Sequence, residues 1–498
     1  MTLSLAPKMT ADNRRWASLM VVCLAQLMIV LDVTIVNVAL PSIQHDLHFS
    51  QANLTWVVNA FLVTFGSLLL LAGRLGDLVG RKRVFLTGVV VFTLASLLCG
   101  MAPSEGFLIG ARFLQGIGAA AQASVILAII VTEFPRPDER ARAMSAYVFV
   151  SVAGGSLGLL AGGLLTEALS WHWVFFVNLP IGAATFALGN ALIRSDRGLG
   201  LGHGVDWLGA ALVTVSLMNA IYAIVQATNH GWGSTQVLGF GGIAVLLMAA
   251  FFYLEARIAN PIMPLRILRL RGLVNASLVR GLLVTGMYSS FFLGTLYLEH
   301  VRHYSPLQTG AAFLPWTLTV AVLSQGITAR LVERFGSVRV LTMGMVSAIA
   351  GLLLFASVGP DTAFFPTVFF ACFAIGFGIG NAFMPLLTLA MADVPAADAG
   401  LGSGITNVSQ QISGALGLAV LSTIAGNHTK SLLADHHGLT SSLIGGYHLA
   451  FQVGAATIAV GIAVAFWLLR PRGPQQELEL AEPDTSLPTN IEMEQQAA

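Results

Sequence analysis

Charge is what this chain has least of. Asp, Glu, Lys and Arg make up 10% of its 498 residues, while 56% are hydrophobic and the mean hydropathy is +0.79. Soluble domains carry about a quarter charged residues, so that class is excluded and a polytopic membrane protein is expected. Cysteine is nearly absent: Cys23, Cys99 and Cys372 all lie inside apolar runs, which rules out a disulfide framework and any C-x-x-C metal spacing. The Gly-Lys-Ser/Thr phosphate loop is missing, which excludes an ATP-driven pump within this chain; no H-E-x-x-H pattern supports a metal-dependent hydrolase. Neither a metal nor a cofactor is expected, and the chain is not read as an enzyme. The net charge of +1 comes from basic residues spread over short loops, so nucleic acid is not an expected partner.

What is present is apolar sequence in long runs. A helix needs roughly 20 apolar residues to cross about 30 Å of hydrocarbon. Fourteen stretches meet that need: 17–40, 52–73, 84–102, 106–133, 142–166, 173–193, 207–226, 237–257, 274–298, 307–329, 338–357, 364–390, 400–424 and 446–469. The first is too long for a signal-peptide core and is read as a retained helix. An even number puts both termini on one side. Of 25 Lys and Arg, 21 fall on that side, only Arg302 and Lys430 fall opposite, and Arg112 and Arg280 lie within spans. The positive-inside rule makes both termini cytoplasmic. Arginine outnumbers lysine 22 to 3, which suits a GC-rich bacterial genome and hence a bacterial cytoplasmic membrane.

Asp32 stands alone in the first apolar run, Leu31-Asp32-Val33-Thr34-Ile35-Val36-Asn37. A carboxylate at the centre of a membrane helix costs about 2.5 to 3.5 kcal/mol on insertion scales, and such groups are retained for moving ions or substrates. Carrying a proton is the expected task. Arg112 is the nearest cation in depth: at 1.5 Å per residue, Asp32 is about 14 Å from Pro41 and Arg112 about 10 Å from Glu105, both measured from the outer side. The two side chains are expected to meet. Burial favours a neutral carboxyl and a cation within about 6 Å favours a charged one, so Arg112 must withdraw or be neutralised for proton uptake. A static ion pair tying two helices together is the alternative. Arg280, about seven residues into its span, is expected to snorkel to the cytoplasmic interface.

An internal repeat shows in two loops. Arg74-Leu75-Gly76-Asp77-Leu78-Val79-Gly80-Arg81-Lys82-Arg83-Val84 aligns with Arg330-Leu331-Val332-Glu333-Arg334-Phe335-Gly336-Ser337-Val338-Arg339-Val340, five of eleven positions being identical. Both join a second helix to a third if helices 1–6 and 9–14 are two halves and helices 7 and 8 are inserted. Repeats of this kind build secondary transporters, with the substrate site between the halves. The expected division is a cytoplasmic segment 1–16, a six-helix bundle 17–197, a linker with two inserted helices 198–272, a second six-helix bundle 273–470 and a disordered acidic tail 471–498.

The loop Gly73 to Arg83 resembles the cytoplasmic signature of the major facilitator superfamily, and the Asp32 segment resembles helix 1 of its fourteen-helix drug:proton antiporters (DHA2). The resemblance covers about 17–469. It implies that Asp77 docks at the start of the second half's fifth helix, near Ala399 and Gly400, and that Arg81 reaches Glu133, with Gly73 and Gly80 shaping the turn of this cytoplasmic gate. Leu108 to Gly118 is similar to the family's helix 4 signature, whose intramembrane Arg takes part in proton transfer. Helix 5 carries Gly154, Gly158, Gly162 and Gly163, similar to the antiporter signature G-x-x-x-G-P-x-x-G-G. Leu159 replaces its proline, so no kink is expected there. Trp171 to Pro180 resembles the helix 6 entry, with His172 at the interface.

Trp56 and Asn59 on helix 2, Tyr288 and Phe291 on helix 9, and Asn407, Gln410 and Gln411 on helix 13 are the candidate cavity walls. The amides read equally as glue between helices. An acid in an apolar cavity suits lipophilic molecules, cationic or neutral. The whole is an all-α, fourteen-helix protein of major facilitator type that exports lipophilic compounds in exchange for protons, as a monomer in the bilayer. A dedicated exporter of one antibiotic or metabolite is the nearest alternative; a channel or a membrane-embedded enzyme is more remote.

Overall fold

In the computed structural model, residues 11–468 are described except 50–53, 55, 197, 199, 201–205, 259, 260 and 262. The acidic tail 471–498 and the first ten residues lie outside them. Every regular element among the described residues is helical. The spans are α1 (Ala11–Asp46), α2 (Trp56–Val79), α3 (Arg81–Gly100), α4 (Glu105–Glu133), α5 (Pro137–Ala168), α6 (Trp173–Leu192), α7 (Trp207–His230), α8 (Thr235–Glu255), α9 (Arg271–Val301), α10 (Gln308–Phe335), α11 (Ser337–Phe355), α12 (Phe364–Ala392), α13 (Ala399–Ala434) and α14 (Leu439–Leu468). Thirteen are long and apolar enough to cross a membrane, and α5 makes fourteen when its two bent pieces count as one span.

Several helices outrun their apolar stretches. α1 starts at Ala11 and runs through Pro41 to Asp46, and α13 continues ten residues past 424 to Ala434. Hydrophobicity marks only the part of a helix that meets hydrocarbon; the extra turns, such as Asn427-His428-Thr429-Lys430, are polar and belong to the interface. The straight α5 expected from the missing proline is corrected: its pieces Pro137–Gly155 and Leu160–Ala168 meet at 41°. The break falls at a Gly-Ser pair, a proline-independent cause of bending.

Helix pairing repeats between the halves. In the first half α1 packs on α5 and α6, α3 on α4 and α6, and α2 on α4; in the second α9 packs on α13 and α14, α11 on α12 and α14, and α10 on α12. Each pairing maps onto its partner by adding eight to the helix number. The halves meet where α2 and α4 pack on α13, and where α5 packs on α10 and α12. The inserted α7 lies against both α2 and α13, with α8 outside it.

Small residues set these contacts, as expected where lipid removes the hydrophobic drive between helices. A Cβ on Gly118 of α4 would lie 2.7 Å from Phe92 Cα of α3, and one on Gly88 of α3 would lie 2.6 Å from Gln122 N of α4. Gly110, about two turns nearer the start of α4, has nothing within 4 Å. Gly118→Val is therefore expected to lower the detergent melting temperature and folded yield, while Gly110→Val leaves both unchanged, as read by fluorescence-detected size exclusion after heating.

Candidate functional site

Asp32 is fully buried inside the first bundle, not at its lipid face. Its Oδ2 accepts from Arg112 Nη1 at 2.6 Å, and its Oδ1 accepts from Gln115 Nε2 at 2.7 Å and Asn178 Nδ2 at 3.3 Å. Ser96 Oγ accepts from Gln115 Nε2 at 2.7 Å and from Asn178 Nδ2 at 3.3 Å. α1, α3 and α6 thus each give one polar group, and α4 two, to a single cluster, and the charged pair is 1% and 0% exposed.

Arg112 is held from every side. Its Nε donates to Val57 O of α2 at 2.8 Å and its Nη1 also to Gln115 Oε1 at 2.6 Å, while its guanidinium carbon lies 4.5 Å from the centre of the Phe61 ring. Such packing compensates two desolvated charges, since a buried pair is tolerated only with good geometry and its remaining donors satisfied. Gln115 and Asn178 are functional candidates that sequence reasoning passed over. Both stood in segments already singled out, and Gln115 is one turn beyond Arg112 on the same helix face, which was the available signal.

The glycines of α5 abut the Asp32 turn. A Cβ on Gly158 would lie 3.1 Å from Leu31 O, one on Gly154 3.1 Å from Val30, and one on Gly162 3.0 Å from Ile35 O. Gly163 faces open space. The antiporter-like stretch therefore seats α5 directly behind the carboxylate.

At the opposite end of the first bundle Asp77 is buried against the second half. Its Oδ1 accepts from Gly400 N and its Oδ2 from Leu401 N, both at 2.8 Å, in the first turn of α13, where a carboxylate meets the positive end of the helix. Arg81 Nε and Nη2 donate to the same Oδ1 at 3.2 and 3.0 Å. Gly73 lies directly against the Gly400 carbonyl, leaving no room for a side chain. Gly80 has φ +109°, the left-handed region that glycine enters freely. Glu133 contacts Arg194 at 3.8 Å and, with Arg81, Lys82, Ile129 and Asp196, lines a cavity of about 130 Å³ at this same end of the bundle. Asp398, just before α13, contacts Arg74 at 3.5 Å and Arg266 at 2.9 Å. Sequence reasoning missed it because nothing local marks an acid whose partners lie in two distant segments.

The other candidates are scattered. Trp56 stacks on Tyr222 of α7 at 5.7 Å, so it packs under the inserted helix. Asn59 is half-buried on α2. Phe291 packs on Phe313 and Trp316, and Gln411 is half-buried beside Gly66. Asn407 Nδ2 donates to Ala123 O of α4 at 3.3 Å, joining the halves. The Tyr288 side chain lies outside those described. The snorkelling expected of Arg280 is corrected: it is 2% exposed, donates to Gln410 and to Thr406 O, and sits 5.4 Å from the Phe383 ring. α12 and α13 close over it, and their groups satisfy it in place. His172 stacks on Trp171 at 3.9 Å.

Two bundles with repeated pairing, and charges neutralised at depth inside one of them, define a polytopic helical transporter. The chain belongs to the Major Facilitator Superfamily, whose sequence profile matches residues 22–418. It is 41% identical to the puromycin resistance protein pur8 of Streptomyces alboniger, with 92% of each chain covered. It is 36% identical to the cephamycin export protein CmcT of Amycolatopsis lactamdurans, covering 84% of this chain and 88% of that one, and 34% identical to the multidrug resistance protein Stp of Mycobacterium tuberculosis, covering 82% and 75%. The fold is similar to that of the human organic anion transporter MFSD10, with a TM-score of 0.64 at 16% identity over 90% of this chain and 99% of that one.

Removing one member of a buried ion pair strands the other. Arg112→Met is expected to destabilise the protein by about 3 to 5 kcal/mol. Adding Asp32→Asn to the same chain should recover part of that loss, which denaturation of the purified single and double variants in detergent will show.

Proposed function

We propose that this protein exports lipophilic compounds, antibiotics among them, in exchange for protons, and that Asp32 carries the proton. The observation that carries the reading is a fully buried carboxylate whose partners, Arg112, Gln115 and Asn178, sit on two other helices of its bundle. A charge change on Asp32 alters what all of them bind, which couples protonation to helix position. When Arg112 withdraws the carboxyl takes up a proton; when it returns the proton is expelled. Each proton moving inward down 100 mV supplies about 2.3 kcal/mol, enough for roughly a 40-fold gradient of a neutral substrate.

In this reading the working bodies are 17–197 and 273–470, rocking about the seams between them, with 198–272 as a linker. The Asp77 contacts with Gly400 and Leu401 hold the cytoplasmic side shut, with Gly73, Gly80, Arg81 and Glu133 supporting them. Both termini are cytoplasmic and the unit is a monomer in a bacterial cytoplasmic membrane. A narrower reading, a dedicated exporter of one antibiotic, is favoured by relatives named for single compounds such as puromycin and cephamycin. Resistance profiles in a pump-deficient strain separate the two: many unrelated drugs support the broad reading, one compound the narrow one.

In proteoliposomes with an imposed pH gradient, Asp32→Asn is expected to abolish uphill extrusion while substrate still binds. Uphill extrusion by that variant would refute Asp32 as the carrier. Asp77→Asn is expected to slow transport severalfold and leave binding in detergent nearly unchanged, because it removes a state rather than a site; complete loss of binding would refute the latch.

A further inference from the structure

Asp32 lies in the interior of its bundle, so its proton needs a path to the cytoplasm, and helix register supplies a candidate. Seven residues are nearly two turns, so positions seven apart share a helix face and stand about 10.5 Å apart in depth. α1 and α3 run outward and α4 and α6 run inward, so one step toward the cytoplasm is minus seven on the first pair and plus seven on the second. From Asp32, Ser96, Gln115 and Asn178 that step reaches Ala25, Val89, Gln122 and Thr185, each fully buried. The next step reaches Ser18, Lys82, Ile129 and Leu192. Lys82 and Ile129 line the cavity that also holds Glu133, Arg81, Arg194 and Asp196.

The middle layer contains an anomaly. Gln122 is 0% exposed, and neither its Nε2 nor its Oε1 finds a hydrogen-bond partner among the described residues. A buried amide without partners costs several kcal/mol in an apolar setting, and an Ala or Leu would fill the place without that cost. Ser18 Oγ, one layer lower and 1% exposed, likewise finds no partner among the described residues, and Thr185 Oγ donates to Ile181 O of its own helix at 2.7 Å. Polar groups thus recur at each step from the ion pair to the cytoplasmic cavity. Between Gln122 and the cavity stand Val21, Phe85, Val125 and Ile126, a buried apolar plug.

We propose that Gln122 holds water on a proton exit route inside the first bundle, separate from the substrate path between the halves. The inference rests on Asp32 as proton carrier. The proton passes from the Asp32 carboxyl to water bound by Gln122 and Thr185, and then, when the plug loosens, to water in the Glu133 cavity. No bond other than O–H is made or broken. Gln122 does not ionise; it positions the relay.

The test uses the full chain in proteoliposomes with puromycin as the transport probe and, independently of any substrate, thiol labelling. Gln122→Leu is expected to cut proton-driven puromycin transport about tenfold or more with its binding unchanged, while Gln122→Ser, which leaves a hydroxyl and space for water, keeps most of it. In a chain with Cys23, Cys99 and Cys372 replaced, Gln122→Cys should react with a small cationic thiosulfonate added from the cytoplasmic side. Wild-type transport by Gln122→Leu beside an inactive Asp32→Asn overturns the route and leaves the carrier standing. An unreactive Gln122→Cys in a folded, active chain also overturns it. Uphill transport by Asp32→Asn overturns the carrier itself.

Discussion

The structure depends on keeping two opposite charges in a place shut off from bulk solvent. Asp32 and Arg112 each face a desolvation cost that their mutual attraction meets only with help, and that help comes from Gln115, Asn178, the Val57 carbonyl and the Phe61 ring. Three other elements, α2, α3 and α6, are therefore pinned around α1 and α4 by electrostatics rather than by apolar packing. In a membrane that matters, because lipid chains compete with side chains for apolar contact but offer nothing to a charge. The cluster ties the first bundle together at the depth of the group proposed to carry the proton.

The two halves share a plan and divide the labour. Helix pairings repeat, but the chemistry at matching positions does not. Asp77 is buried and bonds two backbone amides of α13, whereas its counterpart Glu333 is exposed. The first half holds an acid and a base in contact; in the second, Arg280 rests on an amide, a carbonyl and an aromatic ring. Duplication supplies two bundles with the same helix pairings, and divergence leaves a buried acid–base pair in the first of them.

Much of this was legible in the sequence, for reasons that also explain the failures. Spans were readable because hydrocarbon thickness sets a length, and the Asp32–Arg112 contact because depth follows from helix rise. Helix ends were misjudged where polar turns of α1 and α13 continue beyond the apolar part. The α5 bend was missed because proline was taken as its sole cause, when a Gly-Ser step suffices. Arg280 was misplaced since distance along one helix says nothing of what α12 and α13 lay over it. Gln115 and Asn178 escaped because an amide within an apolar run has no periodic signature; its partner, on another helix, is what gives it meaning.

The inserted hairpin takes on a role once these contacts are set together. α7 lies along the α2–α13 seam, with Trp56 stacked on Tyr222, Ile221 against Gly66 and Trp232 bonded to Thr423 of α13. At the cytoplasmic end, the segment after α8 reaches the same seam: Pro261 O accepts from Arg74 at 3.5 Å, and Arg266 joins Arg74 on Asp398. The equivalent α5–α10 seam carries α12, as the α2–α13 seam carries α4, but no described element stands there in the place of α7, and both of its helices are irregular: α5 is bent and α10 is broken at Gln325 and Gly326. Separating α2 from α13 would therefore break the two amide bonds to Asp77 and the Arg74 contact to Asp398 in one event, while Arg266 keeps its own hold on Asp398. The hairpin thus ties α2, α7 and α13 together at one seam, where the other has its own two helices and α12 alone among the described elements.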